Sequence, residues 1–216
     1  HIMVAHPGCV RLENGVTTTQ RDAPATLPAN AAGVFNGKTD CMIESAMTNN
    51  IKIGNVALGV EDYAITANAI LGIRGAGKTF LAKSIAEQML ELHIPIVVFD
   101  PIGQWRYLRR GANAHTKGFK VVVAGGEEPD LKLTPSTAVE IVRAAIAENI
   151  PLVIDLYDRK LSKGDWRRIV RDTFRTLLYE NKGVRHIFLE EPAEFAPQRV
   201  QDGETYAEVE KLVRMG

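Results

Sequence analysis

Short apolar runs alternate with longer amphipathic stretches along the chain after residue 65. The apolar runs predict strands at 69–72, 96–100, 120–123, 152–156 and 187–190. The stretches between most of them carry apolar residues at helical spacing and predict helices at 78–92, 137–148 and 165–181. Such alternation is typical of an α/β fold, in which helices flank both faces of a mainly parallel sheet. Ligands of these sheets bind at the carboxyl ends of the strands.

The first 50 residues have a different texture. Segment 17–33 is small, polar and interrupted by prolines, which is typical of a loop or a loosely attached extension. The first three residues, 1–3, resemble a cloning remnant before a natural start. We therefore predict an irregular N-terminal extension over 1–50 and a folded core over 51–216, with an edge strand at 51–56.

Residues 72–79 read Gly-Ile-Arg-Gly-Ala-Gly-Lys-Thr and match the phosphate-binding pattern G-x-x-x-x-G-K-[ST]. The pattern stands between a predicted strand and a predicted helix, which is the context that this motif requires. Its four fixed positions in that context argue against a glycine-rich turn that carries a lysine by chance. Glycines let the backbone curl around an anion, because side chains would block the approach of phosphate oxygens.

Each part of this loop has an expected role toward a nucleotide. Its backbone amides lie at the positive end of the helix dipole. Lys78 would reach the β- and γ-phosphates, and the Thr79 hydroxyl would take a place on Mg²⁺. The residues expected to hold the nucleotide are Gly72, Gly75, Ala76, Gly77, Lys78, Thr79 and Phe80.

A loop of this kind also needs a strand-end carboxylate for magnesium and usually a second acid that orients the attacking water. Three predicted strands end in acids, at Asp100, at Asp155 and at Glu190 with Glu191. Only the last strand has adjacent acids, so we favour Glu190 and Glu191. Asp100 stays a secondary candidate because a sharp turn follows it. We interpret Asp155 as a charge that ends a strand.

Composition limits the classes of partner. The chain has 216 residues and is 45% hydrophobic, enough for a substantial core. Its 26 basic and 26 acidic residues give a net charge of zero, so any DNA binding must be local, for example in the pore of a ring. Two distant cysteines favour a reduced, cytoplasmic protein, although a disulfide between Cys9 and Cys41 stays open. The apolar runs are too short for a membrane span, so we expect no membrane association.

Two groups of arginines have two interpretations each. One group lies on one face of the predicted helix 165–181 and is typical of a solvated surface; the sharper alternative is a subunit contact or an arginine that reaches a neighbour's γ-phosphate. The other group adjoins two aromatic residues, which we expect to pack on the sheet edge; the alternative is binding of a single strand by stacking and phosphate contacts. The groups are Arg167, Arg168, Arg171 and Arg175, and Arg106, Arg109 and Arg110 beside Trp105 and Tyr107.

These residues in this order resemble the HerA-like branch of the P-loop ATPases, relatives of the FtsK-type DNA pumps. The resemblance covers about residues 65–216, and the segment Leu-Glu-Glu-Pro-Ala-Glu-Phe-Ala-Pro-Gln at 189–198 is the most telling. The phosphate-binding loop alone is specific only for nucleotide binding. The further matching segments are 99–105, 121–127, 153–156 and 212–216, the last of which makes Arg214 another secondary site candidate.

The resemblance implies a RecA-like core that assembles as a ring, usually a hexamer, with ATP and Mg²⁺ between subunits. It also implies DNA translocation or unwinding, often beside a nuclease or another effector partner. By position, Glu191 would polarise the attacking water and Glu190 would hold Mg²⁺ through water. The family usually has Asp where this chain has Glu190. The family also continues past Gly216 through a strand with a polar γ-phosphate sensor, so we expect a truncated core.

Two alternatives remain open at the level of sequence. Segments 161–165 and 189–192 resemble the signature and the acidic strand end of ABC-type ATPases, but Lys163 replaces the central glycine of that signature. We favour a loop and a helix N-cap at 161–165, with Ser162 or Asp165 as the cap. The second alternative is a nucleotide-dependent scaffold that binds an effector with little hydrolysis. ATPase activity stimulated by DNA would favour the motor over the scaffold.

Overall fold

The structure is a computed structural model, and it describes the backbone of residues 2–5 together with residues 50–60, 63, 67–111, 117–194 and 207–211. Its strands are β1 (Ile2–Ala5), β2 (Asn50–Ile53), β3 (Val56–Gly59), β4 (Asn68–Ile70), β5 (Ile96–Asp100), β6 (Val122–Gly125), β7 (Leu152–Asp155) and β8 (His186–Glu190). Its α-helices are α1 (Lys78–Glu91), α2 (Ala138–Ala147) and α3 (Lys163–Glu180). Short 3₁₀ helices cover Trp105–Arg109 and Pro192–Glu194.

The main sheet has six strands in the order β4-β1-β8-β5-β7-β6. Strands β8, β5, β7 and β6 are parallel, whereas β1 runs antiparallel to both β4 and β8. Strand β4 therefore points in the same direction as the four parallel strands. The α/β fold with a mainly parallel sheet is confirmed.

Strand register brings three acids to one edge of this sheet. Asp100 pairs with Asp155 across β5 and β7, and Phe99 pairs with Leu189 across β5 and β8. The last residues of β5, β7 and β8 therefore lie side by side. Because β4 points the same way, the loop that follows it emerges at this same carboxyl edge.

Most predicted elements lie within two residues of the observed ones, including all three helices. Helix α3 begins with a capping box, since the Ser162 hydroxyl accepts a hydrogen bond from the Asp165 amide at 3.1 Å and the Asp165 carboxylate accepts one from the Ser162 amide at 3.1 Å. The predicted N-cap in this segment is confirmed. A reciprocal cap satisfies two amides that the first helical turn would otherwise leave unpaired.

Two features near the N-terminus differ from expectation. The single edge strand predicted at 51–56 is wrong, because β2 and β3 form a separate two-stranded sheet that turns at Gly54 with φ of 59°. Glycine adopts this left-handed conformation without strain, so the chain reverses there. Strand β1 was not predicted, because it lies within the stretch assigned to an irregular extension. Residues 6–49 of that extension lie outside the described part.

The core lies on both faces of the sheet. Successive residues of β5 alternate between two apolar clusters, with Val98 on the side of α1 and Phe99 on the side of α2 and α3. Phe99 meets Phe174 of α3 edge to face, with ring centroids 4.5 Å apart. A strand that buries both faces needs a continuous apolar run, which explains the Ile-Val-Val-Phe sequence of β5.

Candidate nucleotide site

The phosphate-binding motif forms a curled loop between β4 and α1. Gly75 and Gly77 have φ of 80° and 84°, a conformation that side chains disfavour. The Ile73 carbonyl accepts hydrogen bonds from the Ala76 amide at 3.2 Å and from Lys78 Nζ at 3.1 Å. The lysine side chain therefore folds back across the loop. Gly77 is a fixed position of the motif and Gly75 is not, but the backbone at both positions requires the conformational freedom of glycine.

The N-terminus of α1 is open toward the loop. In the described structure this helix has no side-chain cap and no acidic residue in its first turn. Its first intrahelical bond joins the Leu81 amide to the Gly77 carbonyl at 2.9 Å, so the preceding amides have no acceptor within the helix. Helix α3, in contrast, is closed by its capping box. The open amides and the helix dipole of α1 fit a phosphate group.

The predicted magnesium residues, Thr79 and Glu190, are in direct contact. The Thr79 hydroxyl donates a hydrogen bond to Glu190 Oε1 at 2.8 Å. Glu190 is only 2% exposed, and its second oxygen, Oε2, accepts a hydrogen bond from Trp105 Nε1 at 3.0 Å. Hydroxyl and carboxylate oxygens are ligands that Mg²⁺ prefers, so this donor set fits the ion.

The environment of Glu190 shifts its affinity for a proton. Burial raises the pKa of the Glu190 carboxyl, and the charges of Asp100 and Glu191 raise it further. The hydrogen bonds from Trp105 and Thr79 lower the same pKa. These two donors therefore favour the ionised carboxylate, the form that a metal requires.

Glu191, the predicted base, differs from Glu190 in its surroundings. It is exposed and has φ of 45°, which is uncommon for a residue with a side chain. Its carbonyl accepts a hydrogen bond from the Glu194 amide at 2.9 Å, which closes the turn after β8. Adjacent acids at this strand end are thus divided into one buried and one exposed carboxylate.

Asp100, the secondary candidate, closes the turn that follows β5. Its buried carboxylate accepts hydrogen bonds from the amides of Ile102 at 3.0 Å, Gly103 at 2.9 Å and Trp105 at 2.7 Å. Burial raises the pKa of this carboxyl, and the three amides oppose the rise. The turn that Asp100 holds is the one that brings Trp105 to Glu190.

Asp155 lies farther from the loop, because β5, β8 and β1 separate its strand from β4. Its buried carboxylate accepts a hydrogen bond from the Tyr157 amide at 2.9 Å and lies 3.9 Å from the Arg106 guanidinium. Burial, followed by the charge of Asp100, raises the pKa of Asp155 to about 6. These contacts agree with its interpretation as an acid that ends a strand.

The arginines next to Trp105 are neutralised by acids that follow β6. Each forms an ion pair of 2.7–2.9 Å, and Trp105 itself is fully buried. The expected packing is confirmed for Trp105 and is wrong for Tyr107, which is 43% exposed. The pairs are Arg106 with Glu127, Arg109 with Asp130, and Arg110 with Glu128. The group therefore presents little net positive charge to a nucleic acid.

On helix α3, two of the predicted arginines have acidic partners. Arg171 pairs with Asp172 at 2.8 Å, and Arg175 pairs with the buried carboxylate of Glu208 at 3.1 Å. Arg214 lies outside the described residues.

Two residues of this edge were missed by sequence reasoning. Trp105 donates to Glu190, and Lys83 Nζ donates to the Gln104 carbonyl at 2.9 Å. Burial lowers the pKa of Lys83, while the charges of Asp100 and Glu190 raise it. The available signal was the turn sequence Asp-Pro-Ile-Gly, which folds the next residues back over the strand ends.

The fold and this edge define a class of protein. A glycine-rich loop joins a strand to an uncapped helix, and its threonine donates a hydrogen bond to a buried acid. This arrangement on an α/β sheet is typical of a P-loop nucleotide-binding domain. Residues 46–213 match the family model described as helicase HerA, central domain, and the chain belongs to that family. No curated protein and no solved structure matches the chain.

Family membership confirms the resemblance inferred from the motifs. It places the chain among ATPase-type motors and disfavours the ABC-type alternative. Across the described residues, no helix has both the length and the apolar character that a bilayer crossing requires.

Proposed function

We propose that this protein is the ATP-binding and ATP-hydrolysing subunit of a HerA-like ring that couples hydrolysis to DNA translocation or unwinding. The observation that carries the proposal is the 2.8 Å contact between Thr79 of the phosphate-binding loop and the buried Glu190. The start of α1 and the end of β8, which are distant in sequence, meet there and would join a phosphate-binding loop to a metal-binding acid. Membership of the HerA central-domain family supports the same function.

The loop and the end of β8 have separate tasks in nucleotide binding. The amides from about Gly75 to Phe80 would hold the phosphates, and Lys78 would turn from the Ile73 carbonyl toward the β- and γ-phosphates. Thr79 and Glu190 would hold Mg²⁺, Glu190 through water. When bound, the ion offsets negative charge on the phosphate oxygens.

Hydrolysis would use the exposed acid next to the metal site. Glu191 would orient a water molecule for in-line attack on the γ-phosphate and would accept its proton. The exposed Glu191 is accessible to a water molecule, whereas the buried Glu190, which already meets Thr79, is better suited to hold an ion. The two adjacent acids would thus divide base and metal duties.

Exposed apolar side chains around the loop support assembly into a ring. Leu71, Ile73 and Phe80 are 72%, 83% and 79% exposed. Large apolar groups clustered at one site commonly mark a protein interface. A neighbouring subunit would cover them and enclose the nucleotide, as expected for a hexamer. The pore of that ring would supply local DNA contacts, because a net charge of zero gives no overall attraction to DNA.

The proposal is tested by ATP hydrolysis with and without double-stranded DNA, together with the mass in solution. We expect wild-type turnover to rise with DNA. Glu191→Gln should retain ATP binding and lose turnover by about 100-fold or more, because the amide cannot accept the proton. Glu194→Gln is the matched control, since it neutralises a nearby acid that pairs with Lys163. Wild-type turnover in Glu191→Gln would refute the assigned base.

A nucleotide-dependent scaffold is the second candidate function. It is favoured by the hydrogen bonds of Glu190, whose two oxygens already accept from Thr79 and Trp105 and are therefore less available to a metal. It is also favoured by the longer Glu side chain where the family usually has Asp. ATP binding without turnover, together with ATP-dependent capture of an effector, would support the scaffold and exclude the motor.

A further inference from the structure

Glu190 is anchored from two different parts of the chain. Thr79 of the loop binds Oε1 at 2.8 Å, and Trp105 of the turn after β5 binds Oε2 at 3.0 Å. An indole N–H can only donate, so Trp105 cannot act as a ligand or a base. Its N–H replaces the hydration that one oxygen of this carboxylate loses on burial.

Trp105 is itself held firmly. Its backbone amide donates to Asp100 Oδ2 at 2.7 Å, and the preceding carbonyl, of Gln104, accepts a hydrogen bond from Lys83 at 2.9 Å. Its ring is fully buried and packs against Phe188 of β8, with centroids 5.2 Å apart. The position of the indole N–H is therefore set by the protein core and does not depend on a ligand.

A second anchor is important because the acid is a glutamate. Glu has one more rotatable bond than Asp, so its carboxylate reaches farther and samples more positions. A fixed donor on Oε2 restricts this freedom and leaves Oε1 directed at the Thr79 hydroxyl. Partners of metal-binding groups commonly control metal affinity in this way.

We propose that Trp105 is a positioning residue for the metal–nucleotide complex, and that its indole N–H holds the Glu190 carboxylate in register with Thr79. The inference rests on the proposed role of Thr79 and Glu190 in magnesium binding. It assigns to this tryptophan a task beyond filling the core. The task is separable from packing, because a phenyl ring retains apolar contacts and lacks the donor.

The first test compares Trp105→Phe with Trp166→Phe. Trp166 is the matched control, because in the described structure its buried Nε1 has no hydrogen-bond partner. ATP binding is measured by calorimetry over a range of Mg²⁺ concentrations and without the metal. Trp105→Phe should raise by about tenfold the Mg²⁺ concentration at which half of the metal-dependent gain in ATP affinity is reached. It should leave the ATP affinity measured without metal unchanged. Trp166→Phe should change neither quantity.

The second readout is the emission of Trp105 in the Trp166→Phe protein, where it is the sole tryptophan. Addition of Mg²⁺ to the ATP-bound protein should shift this emission, because the Glu190 carboxylate that accepts the indole N–H would then also hold the ion through water. The shift should be absent when Glu190→Gln is added to that background. This readout requires no turnover.

A phenyl ring leaves a small cavity, so a third protein separates packing from hydrogen bonding. In the Trp166→Phe background, position 105 receives benzothienylalanine, which has the shape of tryptophan with sulfur in place of N–H. The half-maximal Mg²⁺ concentration for ATP binding should again be about tenfold higher than in the wild type. Wild-type Mg²⁺ dependence of ATP binding in the benzothienylalanine protein would overturn the inference. So would Trp105 emission in the Trp166→Phe protein that does not change with Mg²⁺ while ATP binds. Absence of Mg²⁺-dependent ATP binding in the wild type would instead overturn the proposed function itself.

Discussion

At the scale of single residues, three neighbouring acids on one sheet edge have different tasks because their partners differ. Glu190 meets Thr79 and Trp105, Asp100 closes a turn with three amides, and Asp155 lies near Arg106. The sequence identifies all three as acids that end strands and favours the last strand as the partner of the loop, because only that strand ends in adjacent acids. It does not reveal the contacts of each acid, because these depend on strand order and on side-chain burial.

The buried Asp155 predicts an unusual dependence of stability on pH. Its folded pKa of about 6 exceeds the unfolded value of about 3.9, so the folded protein binds this proton more tightly. The associated stability is complete below about pH 4 and is lost as pH rises through 6. Asp155→Asn stays neutral and keeps the oxygen that accepts from Tyr157. As pH rises from 4 to 7.5, the free energy of unfolding of the variant should therefore increase relative to that of the wild type by roughly 1–2 kcal/mol, after allowance for solvent screening.

Urea unfolding at several pH values measures this difference. Asp158→Asn is a suitable control, because it makes the same change at a partly buried acid in the next loop. A difference between Asp155→Asn and wild type that is constant with pH, or that favours the wild type as pH rises, would contradict the prediction.

At the scale of elements, the helix ends differ in how their unpaired backbone groups are satisfied. Helix α1 is open at its start, and α3 is capped by Ser162 and Asp165. The buried Arg185 caps α2 from a distance, because it donates at 2.9 Å to the Ala145 carbonyl in the last turn and to the Ile150 carbonyl just after the helix. The local cap of α3 was predictable from neighbouring residues. The Arg185 cap was not, because its partners are distant in sequence.

This distant cap predicts a large cost for its removal. Arg185→Met would take the guanidinium donor from the Ile150 carbonyl and leave the Ala145 carbonyl with the Ile150 amide alone, and should destabilise the fold by about 2–3 kcal/mol. Burial lowers the pKa of Arg185 to about 10, so the side chain stays charged at neutral pH. Arg143→Met is the matched control, since among the described residues this exposed arginine forms surface ion pairs with Glu140 and Glu180. Equal unfolding midpoints for the two variants in urea would contradict the assignment.

At the scale of the whole molecule, the sequence predicted the class of fold because periodicity and order of elements are local properties. It also predicted the family, since the motifs occur in a characteristic order, and the match over residues 46–213 confirms this. It did not predict that β1 lies between β4 and β8. Four residues carry no pattern that specifies distant strand partners.

The site was predictable to a similar extent. The loop at 72–79 and the acids at 190 and 191 follow from motif and spacing. The contribution of Trp105 does not, because a tryptophan after a turn looks the same whether it only packs or also donates to a buried acid. Long-range hydrogen bonds of this kind follow from the assembled sheet and not from local sequence.

The central claim, that residues 72–79 hold the phosphates of ATP, is tested most directly by the melting temperature with and without Mg²⁺ and ATP. At about 100 times the dissociation constant, binding contributes roughly 2.7 kcal/mol, so the wild type should melt several degrees higher. Lys78→Ala should lose most of this rise, and the exposed Lys120→Ala should keep it. No rise in the wild type, or an equal rise in Lys78→Ala, would contradict the account.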